Sequence, residues 1–280
     1  MKVKDIVAAI EEFAPACIQE EWDNSGLQTG SPEDDVHGVL VGFDCTEALV
    51  EEALRRGCDM VVTHHPLIFR PLSHIDPRDG VGAAIYAAVR GGVAVYSAHT
   101  SADKVLAGVS GATARKLGLE NVRILDPEIP GRAGDDAAQV GLGIVGDLPA
   151  PLSAGDAVEL VKKALGVPAV RTSALIEGPV SRIALCGGSG SSLIGAALRS
   201  GAQMYVCGDI SYHHFFVPEG FMVVDAGHFE TEIEITEVLL SVIRKKFPTF
   251  VSLMSECIGG ANPVNYLYLQ YGNQENNQES

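Results

Sequence analysis

Two adjacent histidines follow an apolar, strand-like run in the sequence VVTHHP. The run ends at Thr63, and His64, His65 and Pro66 come directly after it. Open parallel sheets usually place their ligand sites at the carboxyl ends of strands. A turn at Pro66 would let the two imidazoles fan out towards neighbouring metal ions. A His-His pair alone is weak evidence, because surface or structural histidines explain it equally well.

A stronger indication of metal binding comes from AGHFETE at residues 226–232. In this segment His228 and Glu232 are four residues apart. If a helix begins here, both side chains lie on one face and reach one ion. A neutral imidazole together with a carboxylate suits Zn²⁺, Fe²⁺, Mn²⁺ or Co²⁺. The alternative is a capped helix with Glu232 in its first turn, where the helix dipole favours an acid.

The segment AHTSAD at residues 98–103 repeats this spacing with His99 and Asp103. Two carboxylates, one of them able to bridge, and several imidazoles can hold two cations about 3.5 to 4 Å apart. In an alternative role, His99 orients Asp103 without touching an ion. The sequence therefore predicts two divalent metal ions per chain, with ligands His64, His65, Asp103, His228 and Glu232.

An internal repeat predicts the elements that position these residues. Residues 39–65 have the pattern of a strand, a helix beginning near Thr46, a turn at Gly57 and a second strand. Residues 183–209 align with them without a gap, and Gly201 falls on Gly57. The alternative is that two unrelated β-α-β units share apolar spacing by chance.

A second similarity follows each copy of the repeat. Residues 92–103 and 220–232 each contain a short apolar strand, a small-residue turn and the His-x-x-x-acid spacing. Because the candidate ligands recur at equivalent places, we expect an α/β fold with two related three-layer lobes from an internal duplication. The metal site would lie in the cleft between the lobes. Asp209, equivalent to His65 in the repeat, would either face this cleft or hold a turn.

The lobe boundaries are predicted from the segments that separate the two copies. A stretch rich in Pro and Gly begins near residue 127, which is typical of a connection. We therefore assign residues 1–126 to the first lobe and residues 127–225 to the second. The C-terminal return, at about residues 226–280, is expected to pack on the first lobe.

The overall charge and composition exclude several classes of protein. The formal net charge is −16, which makes nucleic acid an unexpected partner because it binds clustered Lys and Arg. No apolar run approaches the roughly 20 residues that span a bilayer, so no membrane association is predicted. The six cysteines are scattered without a C-x-x-C pair, and the N-terminus lacks a signal-peptide pattern. We expect a cytoplasmic protein.

Five motifs, in order along nearly the whole chain, resemble the Nif three-like proteins, often labelled GTP cyclohydrolase I type 2 homologues. Five spaced motifs are much more specific than any one of them. They are WDNSGLQTG at residues 22–30, VVTHHPLIF at 61–69, AHTSAD at 98–103, GDISYHH at 208–214 and DAGHFETE at 225–232.

The resemblance implies a pair of α/β lobes around a dinuclear metal centre and a homo-oligomer in the form of a ring-shaped hexamer. The family's metal ligands fall here on the five residues proposed above. In one respect the chain departs from the family pattern. The residue before the acid of HT-x-x-D is often bulky in the family but is Ala102 here, which would widen the pocket.

The resemblance also implies an activity: a metal-dependent hydrolase that acts on a small molecule, GTP or a related nucleotide, opening the purine ring at C8 with release of formate. Bound metal lowers the pKa of water from about 15.7 towards 7, which suits hydrolysis. Candidates for the general base are Glu230 and His99, although Glu230 would equally suit a solvent-facing position. The alternative is a protein that senses, stores or delivers metal without turnover.

Overall fold

The computed structural model describes residues 1–128, 140–260 and 262–267 of the chain. Residues 129–139 and 268–280, which belong to the predicted second lobe and C-terminal return, lie outside the described residues. The fold is α/β, as predicted, with two mixed sheets flanked by helices. No helix of the described part is long and apolar enough to cross a membrane.

The described residues form eleven strands and nine α-helices. The strands are β1 (Gly26–Thr29), β2 (Gly38–Val41), β3 (Met60–Thr63), β4 (Ala94–Ser97), β5 (Glu120–Pro127), β6 (Gly141–Leu152), β7 (Arg171–Thr172), β8 (Val180–Ser189), β9 (Met204–Gly208), β10 (Met222–Asp225) and β11 (Val251–Met254). The helices are α1 (Val3–Phe13), α2 (Glu47–Arg55), α3 (Gly80–Gly91), α4 (Thr100–Asp103), α5 (Val109–Leu117), α6 (Ala154–Leu165), α7 (Ile194–Arg199), α8 (His228–Glu232) and α9 (Ile235–Lys246).

The two sheets share a common arrangement of strands, as the internal repeat predicted. The five-stranded sheet has the order β1-β4-β3-β2-β11, and the six-stranded sheet has the order β5-β6-β8-β9-β10-β7. In each, three strands consecutive in the order run parallel, β2-β3-β4 in one sheet and β8-β9-β10 in the other. A short strand pairs antiparallel with the third parallel strand of each sheet, β1 with β4 and β7 with β10. Both short strands precede their three parallel strands in the sequence.

The edges of the two sheets differ beyond these common strands. Strand β11 adds to β2 in parallel, so the chain returns to the first sheet near its C-terminal end. Strands β5 and β6 add to β8 as an antiparallel pair. The lobe boundaries at residues 126 and 225 stay a prediction, and Glu120–Pro127 pairs within the six-stranded sheet.

Each sheet is buried on both faces, which explains the near-continuous apolar runs of its central strands. Alternate side chains point to opposite faces of a strand. Met60 packs with α1 and α9 on one face of the first sheet, and Val61 packs with α2 and α3 on the other. In the second sheet Met204 packs with α5 and α6, whereas Tyr205 packs with α7. Both units therefore have three layers.

The repeated helix is bounded by the residue types that the sequence indicated. Thr46 caps α2, and its side chain accepts a hydrogen bond from the backbone N of Leu49 at 3.2 Å. Gly57 follows the helix with φ of 70°, and its repeat equivalent Gly201 has φ of 76°. Only glycine adopts such left-handed conformations without strain. These boundaries fix where β3 and β9 begin, and so where their carboxyl ends lie.

Candidate metal centre

The predicted ligands converge from distant parts of the sequence. His64 and His65 follow the carboxyl end of β3, α4 ends at Asp103, and α8 begins at His228 and ends at Glu232. Their donor atoms form overlapping clusters in which all atoms lie within 4.8 Å of one another. The three clusters are His64, His65 and His99; His65, His228 and Glu232; and His64, Asp103 and Glu232. We refer to these six residues as the candidate metal centre.

Glu232 is the carboxylate that two of these clusters share. Its Oε2 atom lies 3.0 Å from His228 Nε2, one helical turn away on α8, and 3.2 Å from His65 Nε2. The two imidazole nitrogens are themselves 3.4 Å apart. Two donor atoms that each lie about 2.0 to 2.2 Å from the same ion are separated from each other by distances similar to these three. These three side chains could therefore hold one metal ion.

His64 and Asp103 carry buried polar atoms that no described residue satisfies. His64 is fully buried, and its Nδ1 atom bonds the carbonyl oxygen of Ala98 at 2.9 Å. His64 Nε2 lies 3.7 Å from both Asp103 Oδ1 and Glu232 Oε2, too far for a hydrogen bond. Nε2 of His64 and Oδ1 of Asp103 have no hydrogen-bond partner among the described residues. Buried unsatisfied groups need an explanation, and an imidazole with two carboxylates fits a divalent metal ion.

Three imidazoles of the centre are oriented by carboxylates behind them. His65 Nδ1 lies 2.7 Å from Asp44 Oδ1, and His228 Nδ1 lies 2.7 Å from Asp209 Oδ2. An imidazole whose Nδ1 bonds a carboxylate presents Nε2 to the centre, the arrangement that commonly orients metal-binding histidines. Asp209 has a left-handed φ of 54°, which suits a turn, and its Oδ2 atom bonds the His228 ring, so the residue combines the two positions that the repeat left open.

His99 is oriented in the same way. Its Nδ1 atom lies 2.7 Å from Oδ1 of the buried Asp23. Asp23 Oδ2 accepts further hydrogen bonds from Thr100 and Ser25. Although burial would raise the pKa of Asp23, these hydrogen bonds hold it well below its usual range, so the carboxylate stays ionised.

Sequence reasoning missed Asp23 and Asp44 as orienting residues. A signal for each was present in the sequence. Asp44 stands just past the carboxyl end of β2, next to β3 in the parallel sheet, where ligand-site residues are expected. Asp23 belongs to the WDNSG motif, one of the five motifs that carry the family resemblance.

The two candidate acidic ligands have pKa values shifted in opposite directions. Burial and the charge of Glu232 raise the pKa of Asp103 to about 6, against the effect of His64. Burial would also raise the pKa of Glu232, but its hydrogen bonds with His228 and His65 and the charge of His64 hold it well below its usual range. The surroundings of Glu232 therefore favour its ionised form, whereas those of Asp103 favour its neutral form.

The imidazoles next to Glu232 hold protons tightly in the metal-free chain. Burial lowers the pKa of His65, but hydrogen bonds with Asp44 and Glu232 outweigh this effect and raise it to about 10. The hydrogen bond with Glu232 raises the pKa of His228 to about 9, with a further contribution from Asp209. A metal ion competes with these protons for the same nitrogens.

Gly188, on β8, leaves the space that the Glu232 side chain occupies. A Cβ atom added to Gly188 would lie 2.0 Å from Glu232 Oε1 and 3.2 Å from His228 Cε1. Gly188 also has φ of 61°, a left-handed conformation that favours glycine. The GGSGSS segment at residues 187–192 thus admits the carboxylate between the two lobes.

The two predicted candidates for a general base occupy different places. His99 belongs to a cluster with His64 and His65, so its Nε2 atom is available at the centre. Glu230 is in none of the three clusters of the described residues, and its Oε1 atom accepts hydrogen bonds from Asn262 and Tyr266.

The alanine that departs from the family pattern, Ala102, lies in the apolar core. It is fully buried and packs in the same cluster as Val109 and Tyr96. The residue therefore fills core volume between α4 and the first sheet.

The chain is similar to known proteins over most of its length. The family model described as Duf34/NIF3 (NGG1p interacting factor 3) matches residues 1–259. A protein of Lactococcus lactis named GTP cyclohydrolase 1 type 2 homolog is 35% identical over 235 residues, which cover 82% of this chain and 86% of that protein. A protein of the same name from Clostridium perfringens is 33% identical over 236 residues, covering 83% and 87%.

Two solved structures with the same fold come from Staphylococcus aureus and Bacillus cereus. A hypothetical protein from Staphylococcus aureus matches with a TM-score of 0.87 and 25% identity, covering 95% of this chain and 99% of that one. A Bacillus cereus protein described as related to NIF3 matches with a TM-score of 0.86 and 23% identity, over the same shares of the two chains. The arrangement of both sheets is thus shared with experimental structures.

Proposed function

This chain belongs to the Duf34/NIF3 family, and from that premise we propose that it is a dinuclear divalent-metal protein acting as a metal-dependent hydrolase on a purine nucleotide. One observation carries the proposal. His64 Nε2 and Asp103 Oδ1 are buried, lie 3.7 Å apart and have no hydrogen-bond partner among the described residues. Glu232 Oε2 lies 3.7 Å from His64 Nε2 and also contacts the imidazoles of His65 and His228. A divalent metal ion satisfies both orphaned atoms at once.

The clusters suggest how two ions would divide the ligands. His65, His228 and Glu232 would bind one ion, and His64, Asp103 and Glu232 would bind the other. Glu232 is shared, as a bridging carboxylate requires. The donors are nitrogen and oxygen atoms, which suit Zn²⁺, Fe²⁺, Mn²⁺ or Co²⁺.

The proposed reaction is hydrolysis of GTP, in which one water opens the imidazole ring of the purine at C8 to a formamide and a second water releases formate. The family resemblance implies this reaction, and the relatives' name, GTP cyclohydrolase 1 type 2 homolog, fits it. When bound, the metal ions would activate water and hold substrate oxygens. The chain's own residues would orient the ions and move the proton. His99, backed by Asp23, and Glu230, held by Asn262 and Tyr266, are the proposed proton carriers.

Formate release tests this function directly. Protein loaded with each candidate metal is incubated with GTP, and formate and bound metal are measured on the same sample. The Glu232→Gln variant removes the shared carboxylate, whereas Glu237→Gln removes an exposed charge from α9. We expect formate with wild type and Glu237→Gln but not with Glu232→Gln. Bound metal without formate from GTP or related nucleotides would reject the hydrolase.

A metal-handling protein without turnover is the second candidate function. It is favoured by the position of Glu230, which bonds Asn262 and Tyr266 and belongs to none of the clusters of candidate ligands among the described residues. In that case the same five ligands would bind metal and exchange it with a partner. The formate measurement separates the two candidates.

Two broader expectations stay predictions. The family resemblance predicts a homohexamer, and the sequence predicts a cytoplasmic protein. Light scattering of the purified, metal-loaded protein measures the assembly, with six chains per particle expected.

A further inference from the structure

Two large aromatic side chains are exposed beside the candidate metal centre. Trp22 is 60% exposed and Phe69 is 45% exposed. Their ring centroids are 6.0 Å apart in an edge-to-face contact. We refer to Trp22 and Phe69 as the aromatic wall. Neither side chain is part of the apolar core, so core packing does not explain why they are aromatic.

The aromatic wall is joined to the centre through His99. The Trp22 ring lies 6.0 Å from the His99 ring and the Phe69 ring lies 6.1 Å from it, both edge-on. The His99 ring is in turn 5.3 Å from His64 and 5.4 Å from His65. A molecule bound by the metal ions would therefore lie close enough to contact the aromatic wall as well.

The backbone beneath the aromatic wall is held in place by side chains. Ile68, next to Phe69, accepts a hydrogen bond from Asn24 Nδ2 through its carbonyl oxygen, and its N donates one to Gln28 Oε1 at 3.2 Å. Asp23, next to Trp22, is fixed by His99 and by Thr100. The segments that carry Trp22 and Phe69 are thus hydrogen-bonded to each other and to the candidate metal centre.

We propose that the aromatic wall, Trp22 with Phe69, binds the planar purine ring of the substrate by stacking while the metal centre holds its reacting end. The inference rests on the proposed function and assigns it a substrate-binding surface. Edge-on contacts leave a ring face open, and such faces accept an aromatic base with any substituents.

The charge of the chain favours this mode of binding. The formal net charge is −16, so an anionic nucleotide meets long-range repulsion from the protein. Stacking against uncharged rings adds affinity without requiring basic side chains. Stacking on the aromatic wall would thus contribute favourable binding free energy, which the negatively charged surface does not.

The single tryptophan of the chain makes the proposal directly measurable. Trp22 fluorescence is followed in Zn²⁺-loaded protein during titration with guanosine, GTP or inorganic triphosphate, with a tryptophan amide solution correcting for purine absorption. Guanosine and GTP are expected to change the emission saturably, and triphosphate to leave it unchanged. An emission that neither guanosine nor GTP alters would overturn the proposal.

Substitutions separate stacking from general loss of an exposed side chain. Phe69→Leu is expected to weaken GTP binding about tenfold, whereas Phe69→Tyr keeps the ring and binds like wild type. Tyr86→Leu removes another exposed aromatic residue of the first lobe, on α3, and is expected to change nothing. Zinc content is measured in every variant. Equal GTP binding by Phe69→Leu and Tyr86→Leu would contradict the proposal.

Two further measurements separate purine stacking on the aromatic wall from the proposed hydrolase activity and from a contact between copies of the chain. Formate is measured on the same samples: GTP binding that depends on Phe69, without formate, rejects the hydrolase and keeps the aromatic wall. Formate release with an unchanged KM in Phe69→Leu keeps the hydrolase and rejects the aromatic wall. Calorimetry of Trp22→Leu with GTP is expected to show the same tenfold loss at an unchanged particle mass. A changed mass would instead identify the wall as a contact between copies of the chain.

Discussion

His64 Nε2 and Asp103 Oδ1 face each other across 3.7 Å, both buried and both without a hydrogen-bond partner among the described residues. Leaving such groups unsatisfied costs about 1 to 3 kcal/mol each, and more for a charge. This cost indicates that the two unsatisfied groups have a function. The arrangement fits the proposal that the two side chains bind one cation.

Removing an orienting carboxylate should weaken metal binding without removing a ligand. Asp209→Asn leaves His228 in place but takes away the charge behind its Nδ1 atom. The expected result is a loss of about 10- to 100-fold in metal affinity, measured by competition with a chelator. Asp126→Asn, an exposed acid of β5, serves as the control. Equal affinities of the two variants would show that Asp209 does not orient the ligand.

Gly188→Ala should displace Glu232 and lower the metal content. The added Cβ would lie 2.0 Å from Glu232 Oε1, so the carboxylate must move. Gly166→Ala is the matched control, because its φ of 69° imposes similar backbone strain while nothing lies within 4 Å of the added Cβ. Both variants are expected to lose stability, but only Gly188→Ala should lose metal. Metal analysis of folded fractions makes the comparison, and equal contents would contradict it.

The proton carriers can be separated from the ligands by measuring metal and turnover together. Glu230→Gln is expected to keep both ions and to lower kcat for formate release about 100-fold or more. His99→Gln should lower kcat as well, with its Nδ1 partner Asp23 left behind. An unchanged kcat in Glu230→Gln, with the pH profile of wild type, would remove Glu230 from the proposed mechanism.

Acid should weaken the attachment of α2 to the segment that directly follows β11. Glu52 is buried and accepts hydrogen bonds from Ser255 Oγ at 2.6 Å, Glu256 N at 2.9 Å and Arg56 Nη1 at 2.6 Å. Burial alone would raise the pKa of Glu52, but these hydrogen bonds lower it to about 2. The stabilisation is therefore complete above the unfolded pKa and is lost as pH falls through the folded one.

The Glu52→Gln variant tests this dependence. At neutral pH it should unfold more easily than wild type by on the order of 1 to 3 kcal/mol, and the difference should shrink as pH falls from about 4.5 towards 2. Glu51→Gln, an exposed neighbour on the same helix, should match wild type throughout. Urea unfolding at several pH values measures the difference, and a gap independent of pH would contradict the account.

The sequence predicted the residues that carry their own local signal. His64 and His65 end an apolar run, and His228 and Glu232 are one helical turn apart, so strand and helix periodicity sufficed to place them. The repeat was visible because residues 183–209 align with residues 39–65 without a gap, with Gly201 on Gly57. In the structure both glycines follow equivalent helices in a left-handed conformation.

Residues whose role depends on distant contacts were not predictable in this way. Asp23 meets His99 across 76 positions of the sequence, and no local pattern specifies that contact. The C-terminal return was expected to pack on the first lobe, but no local pattern indicated that Val251–Met254 would pair with β2 as a strand. Trp22 looked like part of a family motif, and its exposure beside the centre emerged only from the folded chain.

The central claim is that the five predicted ligands hold two divalent metal ions. Crystals of metal-loaded protein, measured at the absorption edge of the metal, test it most directly. The account predicts two anomalous peaks about 3.5 to 4 Å apart, one bound by His65 and His228 and the other by His64 and Asp103, with Glu232 between them. A map without anomalous density at these side chains, from protein offered Zn²⁺, Fe²⁺, Mn²⁺ and Co²⁺ in turn, would contradict it.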